Sequence, residues 1–141
     1  MHAASAVAVA ATFIWLGMVL AISFLEAPLK FRAPGVTLQV GLGIGRLVFR
    51  ALNVCELVLG AVALLAVVIG GSSTGALISV AVALTMLVAQ LLFVRPALTR
   101  RSDAVLAGAE GPRSRAHYGY VALEAVKVVA LICAGVLLLT A

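Results

Sequence analysis

Four apolar runs, at about residues 4–26, 50–70, 75–95 and 120–140, each supply the roughly 20 residues that an α-helix needs to cross the hydrocarbon layer of a bilayer. In a chain of 141 residues they leave room only for connections. In hydrocarbon every backbone N–H and C=O must be satisfied internally, and helices do this within one segment. The expected fold is therefore all-α: a single four-span membrane domain over residues 1–141, packed as a transmembrane four-helix bundle. Charged residues make up 11% of the chain, against about 25% in soluble domains, which excludes a soluble globular unit. The opening MHAASAVAVAATFIWLGMVLAISFL lacks a basic segment ahead of its apolar run, and that run is too long for a secretory leader. It reads as a retained first span.

The basic residues predict the topology. Lys30, Arg32, Arg46, Arg50, Arg95, Arg100, Arg101, Arg113 and Arg115, nine of the ten Lys plus Arg, lie in or beside the connections 27–45 and 96–116. The turn GGSSTG at 70–75 has none. Short basic loops stay cytoplasmic, so both termini are expected outside and the two basic connections inside, in the cytoplasmic (inner) membrane. The net charge of +5 then reports topology first, with attraction to anionic lipid at the cytoplasmic face second. No nucleic-acid partner is expected, because basic and aromatic residues do not interleave. Pro28 and Pro34 are expected to end the first span and Pro96 the third. GLGIG at 41–45 is not G-x-G-x-x-G and follows no strand, so it reads as a flexible lead-in to the second span.

Against this apolar background, two stretches carry polar stripes. Arg46, Arg50, Asn53 and Glu56 are spaced by four, three and three, which at about 100° per residue keeps them on one helical face. Gly60 continues that face and permits close helix approach. His117, Tyr120, Glu124 and Lys127 repeat the pattern in the last span. Counting back about 20 residues from Gly70 and from Ala141 places Asn53, Glu56, Glu124 and Lys127 within the hydrocarbon layer. With Glu26 and Lys30 closing span one and Gln90 and Arg95 closing span three, all four polar groups should meet in one half of the bundle.

An ionised side chain at the bilayer centre costs at least about 2.5–3.5 kcal/mol on the insertion scale, so these groups must pair or be bathed in water. Arg46 and Arg50 are expected to neutralise Glu26, Glu56 or Glu124 at the mouth of a polar cavity open to the cytoplasm. The expected ligand or proton site is Arg46, Arg50, Asn53, Glu56, Glu124 and Lys127, supported by Glu26, Lys30, Gln90, Arg95, His117 and Tyr120. The competing reading is a structural ion-pair network that sets helix register.

Seven-residue spacings from Arg46 to Asn53 and from His117 to Glu124, with ALNVCE against ALEAVK and FLEAPLK against FVRPALT, suggest two related helical hairpins about an axis along the membrane normal. Cys55 and Cys133 lie in apolar runs and read as small buried hydrophobes. Trp15 reads as a packing or lipid-facing residue, and Tyr118 with Tyr120 as an interfacial pair. His2 and His117 are expected at opposite faces, which suits neither a haem pair nor a zinc site; no cofactor or metal is expected.

AISFLEAPLKF and LICAGVLLL resemble two patches of the small multidrug resistance transporters, in which a first-span glutamate is shared between proton and cation. Glu26 sits at the membrane edge rather than near its middle, the connections are longer, and that family's aromatic signature in span three is missing. Its catalytic role is not carried over. The function expected is a multi-pass inner-membrane protein whose charged cavity binds or passes a small polar or anionic species or protons. One alternative is an accessory subunit of a larger membrane complex, and another an enzyme acting on a lipid or quinone, for which no nucleophile triad is present. A homo-oligomer or a complex partner is expected, since one such bundle is thin for alternating access.

Overall fold

The computed structural model describes residues 1–108 and 115–140. Four helices, α1 (Ala3–Arg32), α2 (Leu38–Ile69), α3 (Thr74–Leu106) and α4 (Arg115–Leu139), are each long and apolar enough to cross a membrane, as in an integral membrane protein. No strand occurs among the described residues. Each helix packs on the next and α4 returns to α1, closing a ring. Arg113 and the centre of the expected 96–116 connection lie outside the described residues.

The helix starts follow local chemistry. Thr37 Oγ1 accepts the Val40 N–H and Ser73 Oγ the Ala76 N–H, both at 3.2 Å, each satisfying a donor that has no partner inside its helix. Between α2 and α3 the chain reverses through Gly71 at φ +61°, where a side chain would be strained. His2 Nε2 reaches the Gly70 carbonyl at 3.2 Å and ties the start of α1 to this turn.

At the end that holds this turn, the start of α1 and the end of α4, the core is built of small residues. Ala8, Ala11, Ala63, Ala66, Ala76 and Ala134 pack with Val67, Val80 and Leu138. Lipid offers apolar side chains no reason to prefer a partner helix, so small residues that let backbones approach supply the contact. A second apolar layer follows: Trp15, Leu16, Val19, Ala83, Leu87, Ala130 and Leu131. Beyond it lie the polar residues, so the bundle is sealed at one end and polar at the other.

The helices overrun the expected spans at the polar end, and both prolines explain how. Pro28 and Pro96 do not end helices; α1 continues to Arg32 and α3 to Leu106. A proline ring clashes with the carbonyl four residues back and offers no N–H. The chain widens instead into π-helical turns, Leu20–Glu26 and Gln90–Val94. Ala27 N–H bonds the Ile22 carbonyl and Arg95 N–H the Gln90 carbonyl, each five residues back and each just before its proline. Pro34, by contrast, does lie in the bend between α1 and α2.

GLGIG is helical rather than flexible, lying within α2. A Cβ on Gly41 would collide with the Phe31 ring and one on Gly45 would meet Lys30 Nζ at 3.2 Å, so these glycines let the start of α2 lie against the end of α1. At about 1.5 Å per residue, the 32 residues of α2 span roughly 48 Å, well beyond the ~30 Å hydrocarbon layer. The overhang carries basic residues out of the apolar zone while Glu56 remains inside it.

Candidate functional site

Lys127 is the hub of the polar layer. Its Nζ lies 2.5 Å from Glu56 Oε1, 2.6 Å from Glu124 Oε1 and 2.8 Å from Gln90 Oε1, one acceptor for each N–H of the ammonium. Helix α4 places Glu124 and Lys127 one turn apart, α2 brings Glu56, and α3 brings Gln90 at the first residue of its π turn. Trp15 of α1 donates its indole N–H to Glu56 Oε1 at 3.0 Å. Glu124 Oε2 accepts from Tyr120 Oη at 2.8 Å and from Ser23 Oγ at 2.6 Å, and its Oε1 from Gln90 Nε2 at 3.3 Å. Ser23 lies inside the π turn of α1, so both widened turns deliver a side chain to this network.

Glu56 and Lys127 are completely buried and Glu124 is 1% exposed. Two carboxylates face one ammonium, and every other partner is neutral. Glu56 Oε2 is buried and accepts nothing among the described residues.

Above this network opens a cavity of about 1080 Å³. Ser23 and Lys30 of α1, Arg46, Phe49, Arg50 and Asn53 of α2, Arg95 of α3, and His117, Tyr120 and Glu124 of α4 line it. Glu124 belongs to both, forming the cavity floor and one side of the Lys127 network. Glu56, Lys127 and Gln90 lie below that floor. Glu26 stands outside the lining and pairs with Lys30 at 3.8 Å.

The expected neutralisation of Glu26, Glu56 or Glu124 by Arg46 and Arg50 is not what the structure holds. Arg46 pairs with Asp103 and donates to Ser102 Oγ at 3.1 Å and the Thr99 carbonyl at 3.3 Å. The cause is the continuation of α3 past Pro96, which carries Asp103 beside Arg46 at the rim. Arg50 and Arg95 form no ion pair among the described residues. The Arg95 guanidinium sits 5.2 Å from the Phe49 ring centroid and 5.1 Å from that of Tyr120, held by cation–π attraction between two rings that meet edge to face. Its Nη2 is buried without a hydrogen-bond partner among the described residues.

Four participants escape a reading of the sequence: Trp15, Ser23, Phe49 and Asp103. Trp15 is fully buried, the packing alternative rather than the lipid-facing one, and donates to Glu56, a contact not expected from the sequence. No group of three His, Cys, Asp or Glu suited to a metal occurs among the described residues. Cys133 is exposed on the outer surface and Cys55 half-buried, rather than both buried as expected. His2 sits at the Gly70 turn and His117 at the cavity, so the two histidines occupy opposite ends of the bundle.

A site of this kind has two chemical capacities. Arginines without carboxylate partners in a partly apolar cavity offer paired N–H groups to a carboxylate or phosphate. A sealed cluster with more carboxylates than cations offers a place for a proton or cation. No protein-family profile matches the chain, and no curated protein or solved structure is similar to it.

Proposed function

We propose that this is a multi-pass protein of the cytoplasmic membrane whose basic cavity, open to the cytoplasm, binds or passes a small organic anion. The observation that carries this reading is Arg95: a guanidinium fixed between Phe49 and Tyr120, with one nitrogen buried and, among the described residues, unbonded at the cavity wall. An acidic head on an apolar body would satisfy that nitrogen and lie along Phe24, Phe31 and Phe49, which share the lining. Arg50 supplies a second cation to the same space. Orientation rests on the positive-inside rule, since Lys30, Arg32, Arg46, Arg50, Arg95, Arg100 and Arg101 all belong to the cavity end.

The widened turns ahead of Pro28 and Pro96 support the reading of α1–α2 and α3–α4 as two related hairpins, because the same irregularity recurs at the same place in each. A second copy is the partner we expect, with anionic headgroups gripping the outermost arginines.

Isothermal titration of benzoate into the purified protein tests the reading. Saturable binding is expected, tighter for benzoate than for inorganic phosphate. A charge-assisted hydrogen bond contributes about 1.5–3 kcal/mol, so Arg95→Gln and Arg50→Gln should each weaken benzoate by about ten- to a hundredfold. Arg32→Gln, outside the cavity lining, should leave the affinity unchanged. Absence of saturable binding, or equal affinity in all four proteins, overturns the anion reading.

A further inference from the structure

The cavity accounts for Arg50 and Arg95 but not for the sealed network beneath it, where the charges do not balance. We propose that the Glu56–Lys127–Glu124 cluster takes up one proton, seated on Glu56, and that an anion in the cavity above favours this uptake, so that proton and anion are held together. The coupling rests on the anion reading; the proton seat does not.

The groups facing the cluster are few. From α1 come Trp15 and Ser23, from α2 Glu56, from α3 Gln90, and from α4 Tyr120, Glu124 and Lys127. Among the described residues only Lys127 is a cation in contact with the cluster, so two ionised carboxylates leave one uncompensated negative charge in a site buried on its other side by Trp15, Leu87 and Leu131. Such a charge is costly to keep out of water. The two carboxylates are not equivalent. Glu124 receives donors on both oxygens, whereas Glu56 receives Lys127 and Trp15 on Oε1 and, among the described residues, nothing on Oε2. A proton on the bare oxygen cancels the excess charge and leaves both existing donors in place.

A route exists from the cavity. Glu124 lines the cavity floor, and Lys127 touches both carboxylates at 2.5 and 2.6 Å. A proton arriving on Glu124 is taken by Lys127 as Lys127 hands one of its own to Glu56; one N–H bond breaks, another forms, and the ammonium is restored. Rotation about the last side-chain bond of Glu56 exchanges its oxygens.

Arg95 supplies the link. Its guanidinium faces the Tyr120 ring, whose hydroxyl donates to Glu124, so the positive field of Arg95 helps hold the excess negative charge below. An anion paired with Arg95 cancels that field and favours the protonated cluster. Linkage then requires that protonation tighten the anion equally.

Infrared difference spectra of the protein alone, between acidic and alkaline buffer, read the proton directly. One of the carboxylic-acid carbonyl stretches that appear at the acidic end should shift in D₂O and vanish in Glu56→Gln. Labelling glutamate with ¹³C should shift the band in wild type, which assigns it to a glutamate rather than to Asp103. Absence of the band, its persistence in Glu56→Gln, or its indifference to labelled glutamate overturns the proton seat. Benzoate titrations over the same pH range read the coupling. Affinity should rise up to about tenfold per pH unit lowered while one proton is linked, and be flat with pH in Glu56→Gln. A pH-independent wild-type affinity overturns the coupling. If benzoate binds at no pH, the anion reading and its coupling fail together, and the infrared band still decides the proton seat.

Discussion

Lys127→Met is expected to lower the stability of the bundle by about 3–5 kcal/mol, the range for removing one partner of a buried ion pair. Among the described residues Lys127 is the only cation touching Glu56 and Glu124, and all three side chains are buried. Without it, two carboxylates face each other and Gln90 loses the donor to its Oε1. Hydrogen bonds between membrane helices average only about 0.6 kcal/mol in measured cycles, so a loss several times larger would mark uncompensated charge rather than one missing contact. The triple variant Lys127→Met, Glu56→Gln, Glu124→Gln separates the two, since it removes all the charge together. It should recover most of the loss. Trp15, the single tryptophan, donates to Glu56 and reports unfolding by its fluorescence in a detergent titration. An unchanged midpoint in Lys127→Met would mean that the cluster does not hold the helices together.

Gly60→Val is expected to cost about 1–3 kcal/mol through overpacking. A Cβ at this position would collide with Leu84 and lie 3.3 Å from the Trp15 ring. Leu84 can move at some cost; Trp15 is fully buried and carries the hydrogen bond to Glu56. The variant should therefore shift the tryptophan emission as well as the unfolding midpoint, because the indole leaves its carboxylate. Gly17→Ala is the matched comparison. Nothing lies within 4 Å of its added Cβ, and the better helix propensity of alanine should stabilise it by up to about 1 kcal/mol. Equal effects from the two substitutions would contradict the close α1–α2–α3 packing.

The helical class, the four apolar spans and the meeting of Glu56, Glu124 and Lys127 were legible in the sequence because they rest on a single periodicity. Residues at three- and four-residue intervals share a face wherever the helix is regular. Where it is not, the reading failed. Pro28 and Pro96 look like terminators, and nothing in the sequence distinguishes a proline that ends a helix from one absorbed by a π turn. Two consequences followed. Ser23 stayed hidden, since regular helix geometry does not aim it at Glu124; and Asp103 stayed in an imagined loop, so Arg46 was left without its partner and assigned to the buried carboxylates. The i to i+3 spacing of Glu124 and Lys127 was the better guide to the true counter-ion. Trp15 carried a usable signal as well, for an indole N–H in a membrane helix needs an acceptor, and Glu56 was at hand.

In the proposed function, the polar ends of all four helices enclose one water-filled cavity reaching membrane depth. Thiol labelling of Asn53→Cys, with Cys55 and Cys133 replaced by alanine, tests it most directly, with Val58→Cys on the outward, 59% exposed face of α2 as the comparison. A membrane-impermeant methanethiosulfonate should modify Asn53→Cys quickly when added from the side that holds Lys30 and Arg95, and slowly when benzoate is present, while Val58→Cys resists. If Asn53→Cys is inert from both sides, or no faster than Val58→Cys, there is no such cavity.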